Sequence, residues 1–162
     1  MLSSANPDKR QMGAVRVRLA DAGDVSVVSA LFDSYRHFYQ QEPDVALARR
    51  FIGDRMAQHE SVIFLAEDPA GHALGFCQLY PTFCSVAAAS IYVLYDLFVV
   101  PSARQFGAGR ALMLAAEEHA RGAGVARMDL STAKTNVPAQ ALYESLGWVR
   151  DEAFFVYNRK LR

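Results

Sequence analysis

Between Ile91 and Ala111 the chain reads I-Y-V-L-Y-D-L-F-V-V-P-S-A-R-Q-F-G-A-G-R-A. Its chemistry-bearing residues are one carboxylate, Asp96, and an arginine- and glycine-rich run: Arg104, Gln105, Gly107, Ala108, Gly109 and Arg110. Glycines at a helix entrance let an anion approach backbone N–H groups that have no intrahelical partner, and the helix dipole favours negative charge there. The two guanidinium groups add fixed positive charge on either side. The spacing therefore reads as a pyrophosphate cradle. A triphosphate P-loop would need Gly-Lys-Ser/Thr after its glycines, whereas Arg110-Ala111 follow here. A dinucleotide fingerprint would start directly after the strand, but six residues separate Val100 from Gly107 and Leu112 occupies the third small position. Asp129 lies at the distance of a ribose-binding acid, yet the pattern puts it inside a later strand.

A second constellation lies at Asn136–Trp148, N-V-P-A-Q-A-L-Y-E-S-L-G-W. Asn136 is placed to cap a helix, with Pro138 in its first turn and Gly147 just past its end. The four histidines, at 37, 59, 72 and 119, have no metal-ligand spacing and no neighbouring cysteine, so no metal site is expected.

Arg104–Gly109 as R-x-x-G-x-G and Asn136–Gly147 as N-x-x-A-x-x-L-Y-x-x-x-G together resemble the two signatures of the GNAT superfamily of N-acetyltransferases. Weaker similarity runs from Val15 to Tyr157, nearly the whole chain. The resemblance implies acetyl-CoA as co-substrate, held at the cradle, with backbone groups of Phe98 and Val99 along the pantetheine. Asn136 and Ala139 would be further coenzyme contacts. Tyr143 matches the tyrosine that protonates the leaving thiolate in many members; its other reading is part of the helix's inner stripe. Asp96 could take the proton of the acceptor amine, directly or through water, or hold a cationic acceptor; it could equally be a structural acid where the strand splays. Polyamine-acetylating relatives carry a glutamate one position earlier, where this chain has Tyr95. Tyr35, Arg36 and Tyr39 would line the acceptor end of the cleft, where aromatic rings suit a cation. The segments G-F-C-Q-L-Y-P-T-F and D-L-F-V look nearest to the branch containing histone- and polyamine-acetylating enzymes. A non-catalytic acyl-CoA sensor is the reading of another class; it would need the cradle but not Tyr143.

Periodicity supplies the elements that must position these residues. Val15, Val17 and Leu19 alternate with arginines as a first strand, and Asp21 caps a helix carrying Val28, Phe32 and Tyr35. A second helix is expected from Pro43 or Asp44 to Gln58, with Val45, Leu47, Phe51, Ile52 and Met56 facing in. Strands at 61–67 and 74–80 form a hairpin, and 81–89 is a connection to the central strand. A helix from Gly107 to Arg121, a strand at Val125–Thr132 and the Asn136 helix follow. Trp148–Asp151 and Phe154–Lys160 read as two closing strands. The expected architecture is a mixed α/β (α+β), mostly antiparallel sheet of six to seven strands flanked by about four helices.

With 162 residues the chain is expected to hold a loose tail, 1–13, and a single domain, 14–162. Seventeen basic residues balance seventeen acidic ones, which disfavours nucleic acid or an anionic membrane surface as partner. Cys77 and Cys84 form no disulfide framework, and no secretory leader or membrane span is evident, so a cytoplasmic protein is expected. Its partner would be a small amine or a protein amine, and its aromatic C-terminal segment suggests a homodimer.

Overall fold

The computed structural model describes residues 14–161, so the tail expected at 1–13 lies outside the described residues. The chain divides into two compact units, one ending at Leu130 and one beginning at Ser131.

The first unit holds a sheet of five strands in the order of the sequence: β1 (Arg16–Leu19), β2 (Val62–Glu67), β3 (Ala73–Cys84), β4 (Ala89–Val99) and β5 (Met128–Leu130). The first four pair antiparallel; β5 runs parallel to β4, as a strand reached through a crossover helix must. Helices α1 (Val25–Phe38) and α2 (Val45–Ala57) connect β1 to β2, and α3 (Ala108–Gly122) connects β4 to β5.

The two faces of the sheet are covered by different helices. Ile63, Leu65, Phe76 and Phe98 share one face and pack with Val28, Leu31 and Phe32 of α1 and Ala48 and Ile52 of α2. The intervening residues face α3: the Phe64 ring meets His119 at 5.6 Å and the Cys77 thiol points at the Leu112 carbonyl at 3.8 Å. The sheet is thus buried on both sides, which explains why β2, β3 and β4 read as nearly continuous apolar runs. Arg18 of β1 ties its strand to the start of α1 and to β2, bonding Asp24 and Glu67 at 2.7 Å each. Asp21 receives the Gly23 N–H, and its own N–H donates to Asp24, a reciprocal cap on the short 3₁₀ turn Ala22–Asp24 that leads into α1.

Several expectations change. In α2 only Ala48 and Ile52 are buried, while Val45 and Leu47 of the first turn stay exposed. Strand β3 continues through Pro81 to Cys84 instead of stopping at Tyr80. Proline is tolerated there because β2 ends at the Val62–Leu79 pair, leaving Pro81 on a free edge. Strand β5 spans three residues, not eight.

The second unit contains α4 (Val137–Ser145). Ala139, Leu142, Tyr143 and Leu146 are its half-buried stripe, and Gly147 ends it with φ 87°. Asn136 stands at the cap position, but its side chain makes no capping bond; the Gln140 amide instead satisfies the carbonyls of Ala133 and Lys134 at 3.1 and 3.0 Å. The two closing strands expected at 148–151 and 154–160 do not form, which corrects the strand count to five. Phe154 is 80% exposed and its neighbours Phe155, Val156 and Tyr157 are equally open. Their composition favours a strand, but a strand exists only through the hydrogen bonds of a neighbour, and composition supplies none.

Gly75 is the glycine that shapes β4. A Cβ placed on it would sit 2.3 Å from the Phe98 carbonyl oxygen and 3.0 Å from the Val99 Cα. Gly75→Ala is expected to push β4 away at Phe98–Val99 and to destabilise the protein by about 1–3 kcal/mol, measured by chemical denaturation. Unchanged stability would show that β4 has room to shift.

Candidate active site

Strand β4 changes character at Tyr95. Leu94 pairs with Leu79 and Asp96 with Gln78, so Tyr95 is an extra residue, a β-bulge. Before the bulge Leu94 still pairs with Leu130; from Tyr95 onward no strand among the described residues pairs β4 on the β5 side. The bulge thus falls where the two central strands part, and it turns the side chains that follow by one position. Asp96 points inward, 4% exposed, while Tyr95 is 67% exposed.

Asp96 is stabilised by neutral donors alone. The Gln78 amide donates to its Oδ2 at 2.7 Å, and the Ser61 hydroxyl donates to Gln78 Oε1 at 2.8 Å, which fixes the direction of the amide. Gln78 itself is 0% exposed. The Tyr35 hydroxyl, which donates to the Tyr95 carbonyl at 3.4 Å, also reaches the Asp96 carboxylate. Among the described residues no cation pairs with Asp96. Burial pushes its pKa above the ordinary carboxylate range, opposed by the hydrogen bonds from Gln78 and Tyr35.

One wall of the surrounding cavity is thus a carboxyl group, and most of the rest is aromatic. A space of about 490 Å³ is lined by Phe32, Tyr35, Tyr39, Phe51, Tyr80 and Tyr95, with Asp96, Arg36 and Gln41 as its other groups. The rings brace one another: Phe32 stacks on Phe51 at 5.3 Å, and Tyr35 meets Tyr39 and Tyr80 meets Tyr95 edge to face at 5.0 and 5.7 Å. Burial and the Asp96 charge raise the Tyr35 and Tyr80 phenols, the latter to about 12, so both stay protonated donors. Tyr35, Arg36, Tyr39 and Asp96, chosen from sequence, are thus brought into one cavity. Gln78, Phe51, Tyr80 and Tyr95 were not chosen. A polar residue inside the apolar run L-G-F-C-Q-L-Y was the available signal for Gln78. His37 is exposed on α1, and Phe38 is 52% exposed beneath the Arg104 guanidinium at 5.5 Å.

The cradle lies beyond the C-terminal end of β4. After the short 3₁₀ turn Pro101–Ala103, Gln105 takes φ 70° and Gly107 φ 87°, and α3 begins at Ala108 with no side chain capping it. A non-glycine residue held in the left-handed region costs of order 1 kcal/mol, a strain that marks built loops. A Cβ on Gly107 would meet nothing within 4 Å, so this glycine serves the backbone turn. Arg104 donates from Nε to the Val99 carbonyl at 3.1 Å, which pins its guanidinium beside the loop. Gly109 and Arg110 occupy the first turn of α3. The uncapped N–H groups, the glycines and the two arginines suit a pyrophosphate, and the edge of β4 that no strand among the described residues pairs beyond Leu94 suits an amide-bearing chain. Asn136, Ala139 and Tyr143 lie in the second unit: Asn136 at the start of α4, Ala139 and Tyr143 on its half-buried stripe. The Tyr143 and Trp148 rings are 6.4 Å apart. Among the described residues no three His, Cys, Asp or Glu gather as a metal site.

The raised Asp96 pKa has a consequence for stability. The folded chain holds this proton more tightly than the unfolded chain, so the contribution is most favourable below pH 3.8 and is lost as pH climbs through the folded value. Ionising this carboxyl in the folded chain is a cost to folding. Asp96→Asn, with its carbonyl turned to Gln78, is expected to melt higher than the parent at pH 7–8 and to lose that advantage toward pH 4. A lower melting point at pH 7 would identify Asp96 as a structural acid.

Comparison with known proteins agrees with this geometry. Residues 26–148 match the acetyltransferase (GNAT) family. The uncharacterized N-acetyltransferase YhfO of Bacillus subtilis is 43% identical over 143 residues, covering 88% of this chain and 95% of that protein. A crystal structure of a probable acetyltransferase superposes with a TM-score of 0.85 at 34% identity, covering 91% of this chain and 98% of the other. The fold is shared with an aminoglycoside N-acetyltransferase, AAC(6′)-Iy, solved in complex with CoA: TM-score 0.76, 18% identity, 91% and 95% covered. The cradle, the central strand and the α4 signature all lie within the matched region, and the chain belongs to the GNAT family of N-acetyltransferases.

Proposed function

We propose that residues 14–162 work as one acetyl-CoA-dependent N-acetyltransferase domain that accepts a primary amine in the ring-lined cavity. The observation that carries this reading is Asp96: a buried carboxyl, held by neutral donors, with no cation paired to it among the described residues and a cavity in front of it. Such a group is most stable when a ligand brings the positive charge. In a direct transfer within a ternary complex, acetyl-CoA supplies the activated acetyl thioester. Asp96 Oδ1, left by Gln78 for the ligand, holds the ammonium and takes its proton, directly or through water, so that the neutral amine can attack. Gln78 keeps the carboxylate oriented without neutralising it. Tyr143, assigned by its place in the signature, gives a proton to the departing sulfur; a phenol with a reference pKa of about 10 remains protonated at neutral pH. Arg104, Arg110 and the amides of residues 107–109 hold the pyrophosphate, with Gln105, Asn136 and Ala139 as further contacts. The main chain of Phe98 and Val99 aligns the acyl arm.

The nearer likeness to histone- and polyamine-acetylating enzymes rests on short segments of β3 and β4 alone. No helix among the described residues is long and apolar enough to cross a membrane, and a cytoplasmic location fits the two free cysteines. The exposed Phe154–Tyr157 segment supports a homodimer. Light scattering at micromolar concentration would then give twice the 17.9 kDa chain mass, and the monomer mass would remove the dimer from this reading.

Two variants separate the coenzyme half from the chemical half. Gly109→Val should weaken CoA binding at least about tenfold by calorimetry, because the side chain blocks the approach to the amides. Helix propensity predicts little loss of stability, about 1 kcal/mol or less. Undiminished binding removes the cradle from the mechanism. Tyr143→Phe should leave CoA binding intact while turnover falls roughly ten- to a thousandfold. Normal turnover with a lowered melting point would make Tyr143 scaffold.

A further inference from the structure

Among the described residues, one ionisable acid and one fixed cation line the cavity. Asp96 is the carboxylate, and Arg36, from the last turn of α1, is the guanidinium. Arg36 is fixed where it stands: its Nη1 bonds Asp33 Oδ1 at 3.3 Å and the Glu42 carbonyl at 3.4 Å. Asp33 is buried, takes the Asp44 N–H at 2.8 Å on the same oxygen, and does not line the cavity. It offsets part of the Arg36 charge from behind without presenting a carboxylate to a ligand. The remaining wall is rings and one amide, Gln41.

A site for a polycation needs an acidic group for each positive charge, because every desolvated ammonium left without a partner costs free energy. This cavity has one such group, and its second charged wall is repulsive to a second ammonium. The rings offer a cation–π face and apolar area, both of which favour one ammonium on an apolar or aromatic body. The volume, about 490 Å³, falls in the range of small-molecule sites. We infer that the acceptor is a small monoamine carrying one ammonium on an apolar, arylalkyl-like body, and that Arg36 is the residue that rejects polyamines and polycationic sugars. This inference rests on the cavity being the amine site of the proposed function.

The test uses the full chain and three amines: 2-phenylethylamine, n-butylamine and spermidine. Each is titrated calorimetrically without acetyl donor, and each is then offered with acetyl-CoA while released thiol is measured. 2-Phenylethylamine should bind most tightly, with butylamine weaker for want of the ring. Spermidine should be at least about tenfold poorer in both binding and kcat/KM. Arg36→Gln should raise spermidine relative to 2-phenylethylamine by about tenfold, Arg36→Lys should keep the parent ratio, and thermal melting of both variants shows that they are folded. Tyr95→Ala, at an exposed ring, should cost 2-phenylethylamine more than spermidine. Binding of 2-phenylethylamine without thiol release would sink the transferase reading and leave the cavity assignment standing. Thiol release with spermidine at an equal or higher kcat/KM would keep the transferase and overturn the selectivity. No detectable binding of 2-phenylethylamine at millimolar concentration would overturn it too, as would an unchanged ratio in a folded Arg36→Gln.

Discussion

The hydrogen bond from the Gln78 amide to Asp96, 2.7 Å long and closed off from water, is the interaction on which the site depends. A carboxylate inside an apolar sheet would ordinarily take up a proton or recruit a lysine or arginine. Here a buried amide, itself oriented by Ser61, lowers the cost of ionisation without cancelling the charge. In the proposed reading the carboxyl is thereby kept for a cation that enters the cavity. That arrangement opposes stability at neutral pH, and a structural role would have been served more cheaply by a leucine.

Strand β4 carries both halves of the chemistry because of one inserted residue. Up to Leu94 it is an ordinary interior strand, paired on both sides. The bulge at Tyr95 coincides with the end of β5 pairing, aims Asp96 into the cavity and sends Tyr95 to its rim. The freed edge of Tyr95–Val99 leads straight to the loop at Gln105–Gly107, where left-handed backbone and the uncapped start of α3 favour an anion. The Asp96 carboxyl and the loop proposed to hold pyrophosphate thus lie at the two ends of one five-residue strand edge. Gly75 of β3, opposite Phe98 and Val99, permits the close approach of the two strands there.

What was legible in the sequence was local. Gly147 adopts the left-handed conformation its place just past α4 suggests, and the cap at Asp21 and the stripe of α1 follow from residue type and a 3.6 period. The family signatures also depend on short spacings. Partners set by register were not legible. Gln78 opposes Asp96 only because β3 and β4 align so, and Tyr80 meets Tyr95 only because the bulge turns it outward. The segment 148–160 failed in the opposite way: its aromatic and β-branched residues have strand composition, yet they form no ladder among the described residues. Phe38 shows the same limit on a helix, since its period fits the core but it lies past the end of the sheet-covered stripe, under Arg104.

The central claim, that Asp96 is a buried anion kept for a ligand cation, is tested most directly by following its own carboxyl carbon through a pH titration by NMR, with and without 2-phenylethylamine. The account predicts a pKa above the ordinary aspartate range in the free protein, still ionised at neutral pH, and a clear fall when the amine binds, because the ligand's ammonium favours the charged form. A pKa in the ordinary range that does not respond to the amine would contradict it.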